Sequence, residues 1–202
     1  MKMQMQIKLD SDAISGLFPI LAKPNKDFRF SQMQINIKNN VLQIVALNNC
    51  IIGIYERPLG EGEYSKDCSF VVPLQNFGKA KFFKDHDFFF IGTDDYKHFK
   101  FWADGNIFEF EKETFVFPKW EPLLITNGEK VSSYLVFKPK FLQIAEDFLG
   151  EGYYKVPMTK KYHSQVQWDF VEDDIKKTIV LMPIRIKGID GLDKVLALTK
   201  AL

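Results

Sequence analysis

The residues best suited to covalent or metal chemistry are few in this chain, and their spacing assembles no site. His86, His98 and His163 are scattered. Asp85-His86-Asp87, Asp94-Asp95 and Glu172-Asp173-Asp174 read as solvated turns between strand-like runs. Cys50 and Cys68 stand in no metal-binding spacing. There is no Gly-rich phosphate loop, no His-x-x-x-His pair and no serine nucleophile elbow. No nucleophile–base pairing can be built, so the sequence predicts a protein that is not an enzyme and uses no cofactor or metal. The chemistry left to it is recognition. Its most informative stretch is Ile179-Val180-Leu181-Met182-Pro183-Ile184-Arg185-Ile186, apolar enough for a core strand yet holding a proline and one arginine. Proline removes a ladder donor and fits an edge or the end of a strand.

Composition narrows the partners. Of 202 residues, 46% are hydrophobic and 20 are Phe, which excludes a disordered chain. The net charge of +1 means that contact with nucleic acid must come from local groups of Lys and Arg. Two cysteines point to a reduced, cytoplasmic setting. The N-terminus carries no long apolar region of a signal peptide, and no run reaches the roughly 18 apolar residues of a membrane span.

The elements repeat. The first unit runs from an alternating strand, Met3 to Leu9, through Asp10-Ser11-Asp12, which can cap a helix, to the short helical stretch Ala13 to Phe18. Strands follow at Phe28–Lys38, Val41–Leu47 and Cys50–Glu56, with Asn39-Asn40 and Asn48-Asn49 as turns. The second unit has a strand at Ser69–Val72, Pro73 at the first turn of a helix with Leu74, Phe77 and Lys81 in helical spacing, and strands at Phe88–Gly92, Lys97–Trp102 and Ile107–Glu111. The third has a strand at Tyr134–Phe137, a helix Phe141–Leu149 ended by Gly150 or Gly152, and strands at Tyr153–Met158, Ser164–Phe170 and Thr178–Ile186. The order β-α-β-β-β thus appears three times, about every 60 residues.

Several segments resemble the bacterial DNA polymerase III β subunit, the sliding clamp. Val71-Val72-Pro73-Leu74 resembles the apolar-Pro segment at the head of a clamp helix. Phe117-Pro118-Lys119-Trp120 resembles the Phe-Pro element that ends the first clamp domain, and Met182-Pro183-Ile184-Arg185-Ile186 resembles the segment that closes the last. The resemblance implies an α+β, DNA-clamp-like fold of repeated β-α-β-β-β units, with antiparallel sheets and short helices on one face. It divides the chain into a complete domain at 1–122, a half domain at 123–186 and a C-terminal helical tail at 187–202. The chain is shorter than clamps of two or three full domains, and compact clamps are typical of phages and prophages.

The resemblance also implies function: a processivity factor that assembles into a ring around double-stranded DNA, without reading sequence, and captures DNA polymerase and clamp loader through short peptide motifs. DNA-facing candidates are Lys23 and Lys26 after the first helix, Lys79, Lys81 and Lys84 at the second, and Lys138 and Lys140 at the third. Peptide-binding candidates are Met182, Pro183, Ile184, Arg185 and Ile186, where the flexible methionine suits varied partners. A lone half domain leaves an apolar face, which could pair with the same half of another chain or pack on residues 1–122 of its own. Four chains of three units match the twelve units of a full ring. The tail, with Leu192, Val195, Leu196 and Leu202 on one face, could cover the half domain, block the peptide pocket, or fray. The alternative function is a clamp-derived adaptor or inhibitor that binds replication proteins without forming a ring.

Overall fold

The structure, a computed structural model, describes residues 3–21, 31–73, 86–112, 117–125, 129–130, 139–150, 158–159 and 165–182. In chain order the elements are β1 (Met5–Asp10), α1 (Ser11–Leu17) with a 3-10 turn at Phe18–Ile20, β2 (Gln32–Lys38), β3 (Val41–Leu47), β4 (Ile51–Pro58), β5 (Cys68–Pro73), β6 (Phe88–Thr93), β7 (His98–Ala103) and β8 (Asn106–Glu111). A 3-10 turn at Glu121–Leu123 leads on to β9 (Glu129–Lys130), α2 (Pro139–Leu149), β10 (Met158–Thr159), β11 (Val166–Glu172) and β12 (Ile175–Leu181). The predicted strand at Tyr134–Phe137 and the predicted helix after Leu74 lie outside the described residues.

Short polar turns set the hairpins. Asn39 and Asn40, at φ 52° and 60°, join β2 to β3, and Asp104 and Gly105, at φ 45° and 83°, join β7 to β8. Two successive residues in the left-handed region match the twist of the flanking strands, and Asn, Asp and Gly accept that region most readily. Gly150, at φ 96°, ends α2 and donates its N–H to the Glu146 carbonyl.

The strands form two antiparallel sheets, β1-β6-β7-β8 and β5-β2-β3-β4-β12-β11-β10-β9. The first two units exchange their leading strands. Ile7 of β1 sits opposite Ile91 of β6, and Phe70 of β5 sits opposite Ile35 of β2. Pro73, expected to open a helix, instead closes β5 opposite Gln32, a strand-end position where its missing N–H costs little. The third unit joins the first by sheet continuation: β12 pairs with β4 from Lys176 opposite Glu56 to Leu181 opposite Ile51.

Alternation decides which side each residue serves. Leu42, Ile44, Ala46, Ile51, Tyr55, Ile179 and Leu181 point into the main core with α1 and α2. Their neighbours Val45, Leu47, Ile52, Ile54 and Val180 point to the opposite face, under Phe117 and Trp120. Burial on both faces explains why β4 reads as a nearly continuous apolar run. The two sheets meet through phenylalanines: Phe70 stacks on Phe99 at 4.1 Å, Phe99 on Phe110 at 5.4 Å, and Phe101 on Phe110 at 5.1 Å.

Two polar features tie the layers together. Asp10 stands at the N-cap position of α1 but makes no capping bond. Its carboxylate instead accepts from the Tyr55 hydroxyl at 3.4 Å, while the Ser11 hydroxyl donates to the His86 carbonyl. Burial, and then the Asp10 charge, push the Tyr55 phenol up to about 12. Arg57 of β4 meets Glu63 in a fork of 2.6 and 2.7 Å, with side chains only 13% and 6% exposed. Arg57 also donates to the Lys8 carbonyl, and Glu63 accepts from the Lys8 and Gly60 amides, so the pair fastens the β4–β5 loop to β1.

Burial alone would raise the Glu63 carboxyl, but hydrogen bonds from Arg57 and Gly60 outweigh it and hold the group below its usual 4.5. A carboxyl held low in the folded state adds stability above its unfolded value, lost as pH falls through the folded value. Arg57→Met is expected to cost about 2 kcal/mol at pH 7 by leaving Glu63 unpaired. That deficit should shrink as pH falls from the usual carboxyl value through the lowered one, because a protonated Glu63 offers Arg57 no charge to meet. Urea midpoints of the two proteins, followed from pH 7 down into acid, measure it.

Candidate DNA-facing and peptide-binding surfaces

The helices bring the third unit against the first. Gly16 of α1 lies under Phe148 of α2: a Cβ there would stand 3.1 Å from the Phe148 ring. Gly53 of β4 admits the C-terminal end of α1 in the same way, since a Cβ would fall 2.3 Å from Ile20 Cδ1 and 2.8 Å from Leu17 Cδ2. Both α1 and α2 therefore rest on one face of the eight-stranded sheet, with the β4–β12 joint beneath them.

Of the lysines expected to face DNA, Lys140 is exposed in the first turn of α2, its Nζ 6.0 Å from the Phe141 ring. Lys23, Lys26, Lys79, Lys81, Lys84 and Lys138 lie outside the described residues. The exposed side of α2 is not uniformly basic, because Glu146 and Asp147 share it with Lys140 and Gln143 donates to Asp147 at 2.9 Å.

Met182 is half-buried and follows directly on β12. Its N–H donates to the Cys50 carbonyl at 2.9 Å, which places the start of the candidate peptide-binding segment against the β3–β4 turn. Asn48 builds that turn: its Oδ1 accepts from the Cys50 and Ile51 amides at 2.8 and 3.2 Å, and its Nδ2 donates to the Ile20 carbonyl. The strand expected to run to Ile186 stops at Leu181. Pro183, Ile184, Arg185 and Ile186 lie outside the described residues.

Three features were missed in the sequence. A row of polar side chains crosses the outer face of the large sheet: Ser69 donates to Asn36 at 2.7 Å, Asn36 to Gln43 at 2.8 Å, and Gln43 to Glu56 at 2.8 Å, with Lys176 3.3 Å beyond. The row spans β5, β2, β3, β4 and β12, and its signal is one polar residue at the matching position of successive strands. The segment 117–125 is laid over the same face: Trp120 Nε1 donates to Gln34 at 3.0 Å and the Ile125 amide to Gln167 at 2.8 Å. Phe88, Phe90 and Trp102 form an aromatic cluster on the outside of the small sheet, with Phe90 stacked on Trp102 at 5.7 Å. The Asp95–His98 pair is a turn, as expected: Asp95 accepts from the Lys97 and His98 amides and meets the His98 ring at 2.7 Å, which raises that imidazole. Among the described residues no group of three or more His, Cys, Asp or Glu side chains could hold a metal, and no helix is long and apolar enough to cross a membrane.

Solved structures share this arrangement. The DNA polymerase III β subunit of Thermotoga maritima superposes with a TM-score of 0.69 at 11% identity, covering 92% of this chain and 67% of its own. The sliding clamp of Pseudomonas aeruginosa gives 0.69 at 12%, covering 92% and 68%. The β clamp of Helicobacter pylori, in a structure bound to a DNA ligase peptide, gives 0.67 at 12%, covering 92% and 67%. The chain has the sliding-clamp fold, α+β with antiparallel sheets, over about two thirds of the length of those clamps. No family profile and no curated sequence matches it.

Proposed function

We propose that the protein is a sliding-clamp-like processivity factor, not an enzyme, that tethers a polymerase to double-stranded DNA. It acts by assembling into a ring and by binding short peptide motifs of the polymerase and clamp loader. In this reading 1–122 is one domain, 123–186 a half domain and 187–202 a tail, and compact, phage-type economy fits the length. The observation that carries it is the joint between β4 and β12. It links two units edge to edge with their helices side by side, and the same step repeated around an axis builds a ring. The edge strand β8 pairs only with β7 among the described residues, so it offers the next step of that kind.

Lysines supply the grip in this reading. Phosphate contacts carry no sequence information and weaken with salt, which is what sliding requires. Lys23, Lys26, Lys79, Lys81, Lys84, Lys138 and Lys140 take this role, and Met182 through Ile186 take the peptide. The protein should show a defined oligomeric mass by light scattering, and salt-sensitive retention on nicked circular DNA that disappears when the circle is cut. Lys79→Glu with Lys81→Glu is expected to lower retention about tenfold at moderate salt. Retention that is indifferent to linearisation would sink the ring.

The second reading, a non-ring adaptor or inhibitor of replication proteins, is favoured by the same joint seen differently. Pairing β12 with β4 inside one chain uses up an edge that could have met another chain. A monomer that still binds polymerase or loader peptides is the result this reading expects.

A further inference from the structure

The outer faces of the two sheets are finished differently. On the large sheet Phe117 and Trp120 seal the apolar side chains. On the small sheet the aromatic side chains stay open: Phe88 of β6 is 42% exposed, and Phe90 and Trp102 are half-buried beside it. The antiparallel register that sets Phe90 opposite Trp102 brings the β7–β8 turn alongside the start of β6. Between them lies a notch of about 340 Å³, at the small end of the range for ligand sites. Phe88, Phe90 and Trp102 wall it, with the Phe90 and Trp102 rings only 24° from parallel. Asp87 and Asp104, both exposed, form its rim. His86 holds the Asp104 carboxylate in place, with Nδ1 3.2 Å from Oδ2.

We propose that this notch takes an arginine side chain presented by a partner protein. Aromatic faces carry negative potential, and carboxylates at the rim add to it. The chain shows the preference itself: Lys8 reaches across from β1 and sets its Nζ 4.2 Å from the centre of the Phe88 ring. Lys8 does not line the notch, which lies on the β7 side of β6. The other lysine of this face, Lys100, is paired with Glu109 at 3.3 Å. Among the described residues neither Asp87 nor Asp104 meets a lysine or arginine, so the rim keeps its charge for a cation from outside. A guanidinium suits the place better than an ammonium, because it is planar, stacks on aromatic faces and forks onto carboxylates. An uncharged apolar occupant would use the rings but desolvate two unpaired carboxylates, which opposes it. The site requires neither the β8 edge nor a ring.

Fluorine NMR of the full chain labelled with 5-fluorotryptophan tests it. The three tryptophan signals are assigned by Trp102→Phe, Trp120→Phe and Trp168→Phe. The probe is N-acetyl-argininamide at constant ionic strength, set against its uncharged isostere N-acetyl-citrullinamide. The Trp102 signal should shift toward saturation by about 50 mM arginine probe, while those of Trp120 and Trp168 stay in place. The citrulline probe should bind about fivefold more weakly. Asp87→Asn with Asp104→Asn should weaken the arginine probe by about fivefold as well. Asparagine accepts the left-handed backbone of position 104, at φ 45°, so this variant keeps the turn. An unmoved Trp102 signal, equal binding of the two probes, or unchanged affinity in the double variant would each overturn the proposal.

Discussion

Replacing Ile179 with aspartate is expected to remove about 5 kcal/mol of stability at pH 7, enough to unfold most of the chain. Ile179 is fully buried at the joint, opposite Gly53 of β4 and Trp168 of β11, beneath Ile20 and Leu17. The close approach permitted by Gly53 leaves no room for water, so a carboxylate there would have neither solvent nor a partner. The main core runs without a break from Met5 of β1 to Leu181 of β12, so the third unit should not melt alone. Urea unfolding followed by tryptophan fluorescence and by far-UV circular dichroism should give coincident transitions, both shifted. Ile179→Val, which only trims a methyl group, should cost about 1 kcal/mol. Because burial raises a carboxyl group's pKa, the gap between the aspartate variant and wild type should narrow in acid. A loss below about 1 kcal/mol, or an early fluorescence change alone, would show that the β4–β12 joint is not part of the cooperative core.

Local pattern made most elements legible, and long-range pairing did not. Val41–Leu47 is a strand as read, since alternation and the Asn39-Asn40 turn define both its ends. The helix at 139–149 and its glycine stop were equally readable. The exchange of β1 and β5 between units was not, because Ile7 chooses Ile91 and Phe70 chooses Ile35 through surfaces far apart in the chain. The joint of β12 with β4 belongs to the same class. The glycine in Ile51-Ile52-Gly53-Ile54 has its physical reason in the close approach of Ile20 and Leu17, a long-range contact that no turn or cap signals.

Side-chain roles misled where two partners compete. Asp10 has the residue type and place of an N-cap, yet it faces Tyr55, a partner 45 residues away. Phe117 and Trp120 were legible as a resemblance, but their work is to seal the outer face of the sheet over Val45, Ile54 and Val180. Of the candidate site, Lys140 and Met182 are placed, one exposed on α2 and one at the joint. The lysine set rests on charge and on nearness to the predicted helices. A lysine's exposure is common to any surface, so sequence carries no signal of which surface it serves.

If the proposed assembly runs through β8, Glu109→Pro is expected to abolish it while leaving the fold intact. The two-residue turn at Asp104-Gly105 makes Ala103 and Asn106 a hydrogen-bonded pair. Antiparallel pairs alternate between bonded and non-bonded, so Phe108 and Phe110 bond inward to β7 while Ile107, Glu109 and Glu111 turn their N–H groups outward. Ile107 is also 66% exposed, which gives this edge an apolar contact beside its outward donors. Proline at 109 deletes an outward donor and puts a ring in the path of an incoming strand, yet it removes no bond to β7. The Lys100–Glu109 ion pair it breaks is exposed, at 3.3 Å, and contributes little. If β8 is where chains join, light scattering should show the oligomer of the unsubstituted protein replaced by monomer, and retention on circular DNA should vanish with it. Circular dichroism and the unfolding midpoint should stay near wild type. An oligomer that survives Glu109→Pro would move the contact to another edge, such as β5 or β9.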